Sequence, residues 1–173
     1  MHKVLIIGSA GSGKTVLATR LGALIGLPVI HLDALYWKPG WIEMPKDVWT
    51  QIVAEAVQRE SWIMDGNYGG TLDERLRACD TVIFLAFPRL LCLYRVFKRA
   101  VTYWGKTRPD LNSGCPEKLP DREFLYWIWS YPKQRMPKII DALQAYEGQK
   151  EVITLKSPFA VRKFLTAVEQ KMV

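Results

Sequence analysis

The sequence predicts an α/β fold in which a five-stranded parallel sheet lies between layers of helices. Three observations predict it. Short apolar runs alternate with helix-period segments along the whole chain, a glycine-rich loop joins the first run to the first helix, and acidic residues close the second and third runs. Continuous apolar strands suit a parallel sheet buried on both faces. At 173 residues and 49% apolar, the chain suffices for one domain with a substantial core and is too short for two of ordinary size.

In order, Lys3 to Ile7 is the first strand. After the loop, Val16, Leu17, Leu21, Leu24 and Ile25 recur at helical spacing, and Gly26 with Pro28 ends that helix. Val29 to Leu32 is the second strand, closed by Asp33. Ala34 to Pro45 contains Tyr36-Trp37-Lys38-Pro39-Gly40-Trp41, too rich in Pro, Gly and aromatics for a regular element. The second helix runs from Lys46 to Arg59, with Val48, Ile52, Val53, Ala56 and Val57 facing inward. Trp62 to Met64 is the third strand, ending at Asp65-Gly66-Asn67-Tyr68. Thr71 and Glu74 then form a capping-box pattern for a helix reaching Ala78. Val82 to Phe87 is the fourth strand, closed by Pro88. Arg89 to Trp104 is helical, Gly105 to Pro120 is a loop, and Asp121 to Tyr131 is helical until Pro132 and Pro137 break or kink the chain. Ile139 to Tyr146 is a helix and Glu151 to Leu155 the fifth strand. Ser157-Pro158 supplies the cap and first-turn proline of the last helix.

The loop Gly8-Ser9-Ala10-Gly11-Ser12-Gly13-Lys14-Thr15 matches G-x-x-x-x-G-K-[ST] in its required strand-loop-helix setting. Its glycines let consecutive backbone N–H groups curl around phosphate oxygens, and the new helix adds its positive end. Lys14 neutralises the β- and γ-phosphates, and the Thr15 hydroxyl takes a Mg²⁺ position. Transfer also needs a metal anchor and an acceptor site. Asp65, closing a strand, suits Mg²⁺ or its waters; Asp33 suits orienting an acceptor or taking its hydroxyl proton. A helix cap or loop acid is the plain alternative for each.

The formal charge is +7, and residues 89 to 138 hold eleven Lys and Arg against four Asp and Glu. The remainder holds thirteen of each sign, so the whole surplus sits in one segment. Such a block binds nucleic acid, closes as a lid over a polyanionic nucleotide, or is a solvated basic face. Arg95, Arg99, Arg108, Arg122 and Arg135 are its candidates for neutralising a transferring phosphoryl group. Tyr36, Trp37 and Trp41 either wall an acceptor pocket or pack their loop on the core. Phe124, Trp127, Trp129 and Tyr131 read as core. His2 and His31 have no partner spacing and receive no role. Cys79, Cys92 and Cys115 are odd in number and widely spaced, which argues against disulfides or a four-cysteine zinc site. The initial apolar run is cut short by the loop, and Val82 to Tyr94 is interrupted by Pro88 and Arg89. These features imply a cytoplasmic protein without a membrane partner.

With these residues assembled, the chain resembles the adenylate-kinase-like P-loop kinases, and more narrowly the FlaR-related DNA topology modulation proteins. The narrower likeness rests on His31-Leu32-Asp33 with Tyr36 to Trp41, Asp65-Gly66-Asn67-Tyr68, Phe87-Pro88-Arg89, and Arg95 with Lys98-Arg99. The resemblance spans nearly the whole chain. It implies a three-layer P-loop NTPase fold with strand order 2-3-1-4-5, ATP with Mg²⁺, an acceptor-binding segment at residues 33–60 and a helical lid at 100–135 in one domain. It also puts Lys156 to Phe159 near the adenine. The chain departs from adenylate kinases in one place: their Asp-Gly-Phe-Pro-Arg is here Asp65-Gly66-Asn67-Tyr68, without the arginine that grips a nucleotide monophosphate. The expected activity is therefore ATP-dependent phosphoryl transfer to an unidentified small molecule, with Lys14, Asp33, Arg99, Arg108 and Arg135 as catalytic candidates. The alternative is a nucleotide-dependent regulator that binds DNA through the basic segment.

Overall fold

In a computed structural model describing residues 1–146 and 148–171, five strands form one parallel sheet: β1 (Lys3–Gly8), β2 (Val29–His31), β5 (Trp62–Asp65), β6 (Thr81–Leu85) and β7 (Glu151–Leu155). Their order is β2-β5-β1-β6-β7, which in sheet-strand count is 2-3-1-4-5. β1, β5 and β6 are buried almost throughout, as their unbroken apolar runs require.

Alternate residues of the central strands enter two separate cores. Leu5, Ile7, Met64, Val82 and Phe84 pack with Trp49, Val53 and Val57 of α3 (Lys46–Gln58), Leu76 of α4 (Leu72–Ala78) and Leu143 of α7 (Met136–Gln144). Val4, Ile6, Ile63, Ile83 and Leu85 pack with Leu17 and Leu21 of α1 (Lys14–Ile25), Cys92 and Val96 of α5 (Arg89–Thr102), Ile128 of α6 (Arg122–Gln134) and Leu165 of α8 (Pro158–Gln170). The period-two alternation of a strand thus builds the three layers. Cys79, Cys92 and Cys115 are all free and buried. Among the described residues no helix is long and apolar enough to cross a membrane.

Several boundaries differ from the sequence reading. β2 ends at His31, and Asp33 lies in the first turn of a five-residue helix, α2 (Leu32–Tyr36). The stretch after it is regular: β3 (Trp37–Lys38) and β4 (Ile42–Glu43) form an antiparallel hairpin. Its turn relies on positive φ at Gly40 (82°) and Trp41 (63°). On α3 the buried aromatic is Trp49, while Val48 is 40% exposed, because the inward stripe runs through 49, 53, 56 and 57. The Thr71 capping box does not form. A 3₁₀ turn at Gly69–Thr71 precedes α4, and the Thr71 hydroxyl donates to the Tyr68 carbonyl instead. α6 continues through Pro132, which forfeits one helical N–H, and the break falls at Arg135. The α8 cap forms as expected, with Ser157 Oγ accepting from Ala160 N at 3.1 Å.

Candidate active site

One cleft of about 1310 Å³ opens along the carboxyl ends of the strands, where ligands collect in open α/β sheets. Its floor is the loop between β1 and α1. Gly8, Gly11 and Gly13 all have positive φ (152°, 76° and 95°). A Cβ on Gly11 would collide with the Cys92 carbonyl of α5, and one on Gly8 would lie 2.7 Å from the Leu85 carbonyl. The loop therefore passes against the backbone of its neighbours, which only glycine permits there. Gly11→Ala is expected to cost about 1–3 kcal/mol through strain and overpacking. Thermal unfolding and a nucleotide titration would register both the lost stability and a weakened site.

Lys14 Nζ donates to the carbonyls of Gly8 and Ser9, both at 3.0 Å, and so folds back over the loop. Burial lowers its pKa, opposed by the charges of Asp33 and Asp65. The Ser12 hydroxyl is buried without a hydrogen-bond partner among the described residues, an orphan donor that a phosphate oxygen would satisfy. Arg95 Nη1 donates to the Ser12 carbonyl at 3.0 Å and ties α5 to the loop. Asn67 Oδ1 accepts from Gly8 N at 3.3 Å.

Thr15 Oγ1 donates to Asp65 Oδ2 at 2.9 Å. The other oxygen of Asp65 lies 2.6 Å from His31 Nδ1, and this hydrogen bond raises the His31 pKa. No group of three metal-ligating side chains exists among the described residues. A hydroxyl and one carboxylate still fit Mg²⁺, which keeps waters and takes its remaining oxygens from substrate phosphates. Asp33 Oδ1 accepts from the Tyr68 hydroxyl at 2.7 Å. Burial and the Asp33 charge push the Tyr68 phenol pKa up, so it stays a donor. The backbone of 66–68 is in turn gripped by Arg75, which donates to the carbonyls of Gly66, Asn67, Tyr68 and Thr71.

The segment between α5 and α6 lines another part of the cleft. Glu117, 6% exposed at its side chain, accepts from Arg99 Nε at 2.9 Å, and its second oxygen is 2.9 Å from Arg108 Nε as an ion pair without hydrogen-bond alignment. Arg108 Nη1 also donates to Asp110 at 2.9 Å. Burial, then the neighbouring Arg108, hold the Arg99 pKa below its ordinary value. This segment is tied to α2 and the β3–β4 hairpin: Trp41 Nε1 donates to the Pro116 carbonyl at 2.8 Å, Gly40 N to the Gly114 carbonyl at 2.6 Å, and Asn112 Nδ2 to the Ala34 carbonyl.

Of the candidates read from sequence, Ala10, Gly11, Ser12, Gly13, Lys14, Thr15, Asp33, Asp65, Arg95, Arg99 and Arg108 meet in this cleft, as do Trp37 and Trp41. Arg122 and Arg135 do not line it; both are exposed, and Arg135 sits over the Trp127 ring at 5.3 Å. Phe124 and Trp127, read as core, are half-buried cleft lining. Trp129 is 44% exposed beneath the Arg89 guanidinium at 3.7 Å, and only Tyr131 of that group is core. Pro158 lines the cleft near the expected adenine turn, whereas Phe159 is exposed. His31, Asn67, Arg75 and Glu117 were assigned nothing from sequence. Only the β2–β5 register, which sets His31 beside Asp65, could have pointed to the first.

The three-layer architecture, the strand order and the loop define a P-loop α/β fold. Solved structures share it across nearly the whole chain. A shikimate kinase from Acinetobacter baumannii in complex with shikimate aligns with a TM-score of 0.65 at 19% identity, covering 99% of this chain and 93% of that one. A gluconokinase from Sinorhizobium meliloti aligns with a TM-score of 0.55 at 17% identity, covering 98% and 93%. A sugar kinase from Janibacter aligns with a TM-score of 0.50 at 16% identity, covering 98% and 90%. At these identities the likeness establishes the fold. Neither a protein-family model nor a curated protein matches the sequence.

Proposed function

We propose that this chain is an ATP-dependent phosphotransferase acting on a hydroxyl group of a small molecule, within one domain whose acceptor segment is 33–60 and whose lid is 100–135. The observation that carries the reading is the meeting, in one cleft, of the phosphate loop, the Thr15–Asp65 pair and the Asp33–Tyr68 pair. A loop alone would only bind nucleotide; a carboxylate held in the same cleft, Asp33, supplies an acceptor site. Kinases of shikimate, gluconate and sugars share the fold, which is consistent with small hydroxyl acceptors.

In this reading the loop amides and Lys14 hold the β- and γ-phosphates. Mg²⁺, held by Thr15 and Asp65 with waters and phosphate oxygens, would neutralise charge between them. Asp33, oriented by Tyr68, positions the acceptor hydroxyl and takes its proton as the oxygen attacks. Arg99 and Arg108 face charge growing on the phosphoryl group. Arg99 spends only Nε on Glu117, which leaves both terminal nitrogens for phosphate oxygens.

The test is acceptor-dependent transfer from labelled ATP. Asp33→Asn keeps the shape and the Tyr68 partner but cannot take a proton, and it is expected to lower transfer by about 10²–10⁴-fold with nucleotide binding retained. Hydrolysis independent of every acceptor would instead favour a plain NTPase. The DNA-binding alternative is not favoured: Arg95, Arg99 and Arg108, part of the basic surplus, line the cleft and are taken by the loop or by Glu117 and Asp110.

A further inference from the structure

We propose that His31 is a positioning residue for Asp65, whose carboxylate it holds turned toward Thr15 to receive a magnesium–nucleotide complex. This rests on the phosphotransferase reading and adds a residue to that site.

Asp65 ends β5 with its side chain only 5% exposed, so each of its oxygens needs a donor within the protein. Thr15 Oγ1 supplies one, to Oδ2 at 2.9 Å, and His31 Nδ1 supplies the other, to Oδ1 at 2.6 Å. An ionised carboxylate only accepts, so in this pairing the ring hydrogen sits on Nδ1. The backbone delivers the ring: His31 is the last residue of β2 and the register partner of Asp65 on the adjacent parallel strand. His31 does not itself line the cleft, whereas Asp65 and Thr15 do. It therefore reaches the site only through Asp65.

A carboxylate that serves a metal is oriented by a hydrogen bond to its other oxygen, and losing such a partner typically costs about 10- to 100-fold in metal affinity. The torsion that turns an aspartate carboxylate is soft, so its backbone alone does not fix which way the oxygens face. With Oδ1 held by His31, Oδ2 stays beside Thr15 Oγ1, and the two oxygens assigned to Mg²⁺ remain neighbours. Without that bond one buried oxygen lacks a donor, and a rotation that satisfies it elsewhere parts Asp65 from Thr15. Asp33 is held separately, by the Tyr68 hydroxyl, so the His31 ring acts on the magnesium side of the site and not on the acceptor acid.

The test compares His31→Asn with His31→Leu, two side chains of nearly the same shape. Asparagine can place an amide N–H where Nδ1 stands; leucine places a methyl group there. The β,γ-imido analogue of ATP would be titrated calorimetrically into wild type and both variants, once with Mg²⁺ and once with EDTA, and melting curves would verify the fold. The readout is the gain in affinity that Mg²⁺ brings. In His31→Leu that gain is expected to shrink about tenfold or more while affinity in EDTA stays near that of wild type, and His31→Asn is expected to keep most of it. Independently of either variant, long-range proton–nitrogen NMR correlations of the wild-type imidazole are expected to show hydrogen on Nδ1. Equal gains in all three proteins, equal losses in both variants, or hydrogen on Nε2 alone overturn the role of His31 and leave the phosphotransferase reading standing. Wild-type protein that binds the analogue in neither buffer overturns both.

Discussion

Lys14→Ala is expected to lower phosphoryl transfer by on the order of 10²–10³-fold or more, the scale set by removing one preorganised donor from developing negative charge. Lys14 is held by two loop carbonyls at 3.0 Å, so its ammonium lies against the cradle that phosphates would fill. Burial disfavours its charged form, and a polyphosphate would restore that balance more strongly than the two carbonyls do. Steady-state transfer from labelled ATP, with circular dichroism to verify the fold, measures the effect. Full ATP binding and turnover in the variant would sink the phosphate-loop reading. Alanine at this position removes no core packing, so stability is expected to change little.

Arg75→Ala is expected to destabilise the fold by about 3–5 kcal/mol, the range for stripping one partner from a buried charged network. Arg75 is fully buried at 0% exposure and donates to four backbone carbonyls, those of Gly66, Asn67, Tyr68 and Thr71. Burial lowers its pKa to about 10, yet it stays protonated at neutral pH. Its loss removes the guanidinium donors from those carbonyls, of which that of Tyr68 keeps the Thr71 N–H and hydroxyl, and opens a cavity beneath the segment that carries Asn67 and Tyr68. For a chain of this length the melting temperature should fall by roughly 10 °C. Thermal or denaturant unfolding measures it, and a loss below about 1 kcal/mol would show that water replaces the guanidinium without penalty. Arg75→Lys is expected to recover little, because one ammonium cannot reproduce the planar fork. With Asp33 in its proposed role, the surviving folded fraction is also expected to transfer poorly, because the Tyr68 hydroxyl donates to Asp33.

Legibility followed the range of the interactions involved. The phosphate loop is eight consecutive residues between a strand and a helix, and its positive φ angles belong to glycines that the sequence spells out. Asp65 is legible because the change from apolar to polar residues marks the end of β5, and Asp33 for the same change, although β2 stops two residues before it. The short helix and hairpin between Leu32 and Glu43 were missed, since Pro39, Gly40 and three aromatics obscure any period. What holds that segment is distant: Trp41 reaches Pro116, and Gly40 reaches Gly114. The basic block could be counted but not placed. Arg95 turned to the loop, Arg99 and Arg108 to Glu117, and Arg122 and Arg135 to the exterior.

By itself the sequence determined the class of fold and the glycine-rich loop at the floor of the cleft, because both rest on local rules: hydrophobic period, caps, and glycine at positive φ. The tertiary structure alone decided which side chains meet in the rest of the cleft. Asp65 meets Thr15 and His31, Tyr68 meets Asp33, and Glu117 pairs two arginines nine and eighteen residues away. Such pairs depend on strand register and on where the segment between α5 and α6 lands, and they are polar matches between distant residues that no periodicity encodes. The pairing of charges around the cleft is for that reason a property of the fold, although every residue that contributes to it is present in the sequence.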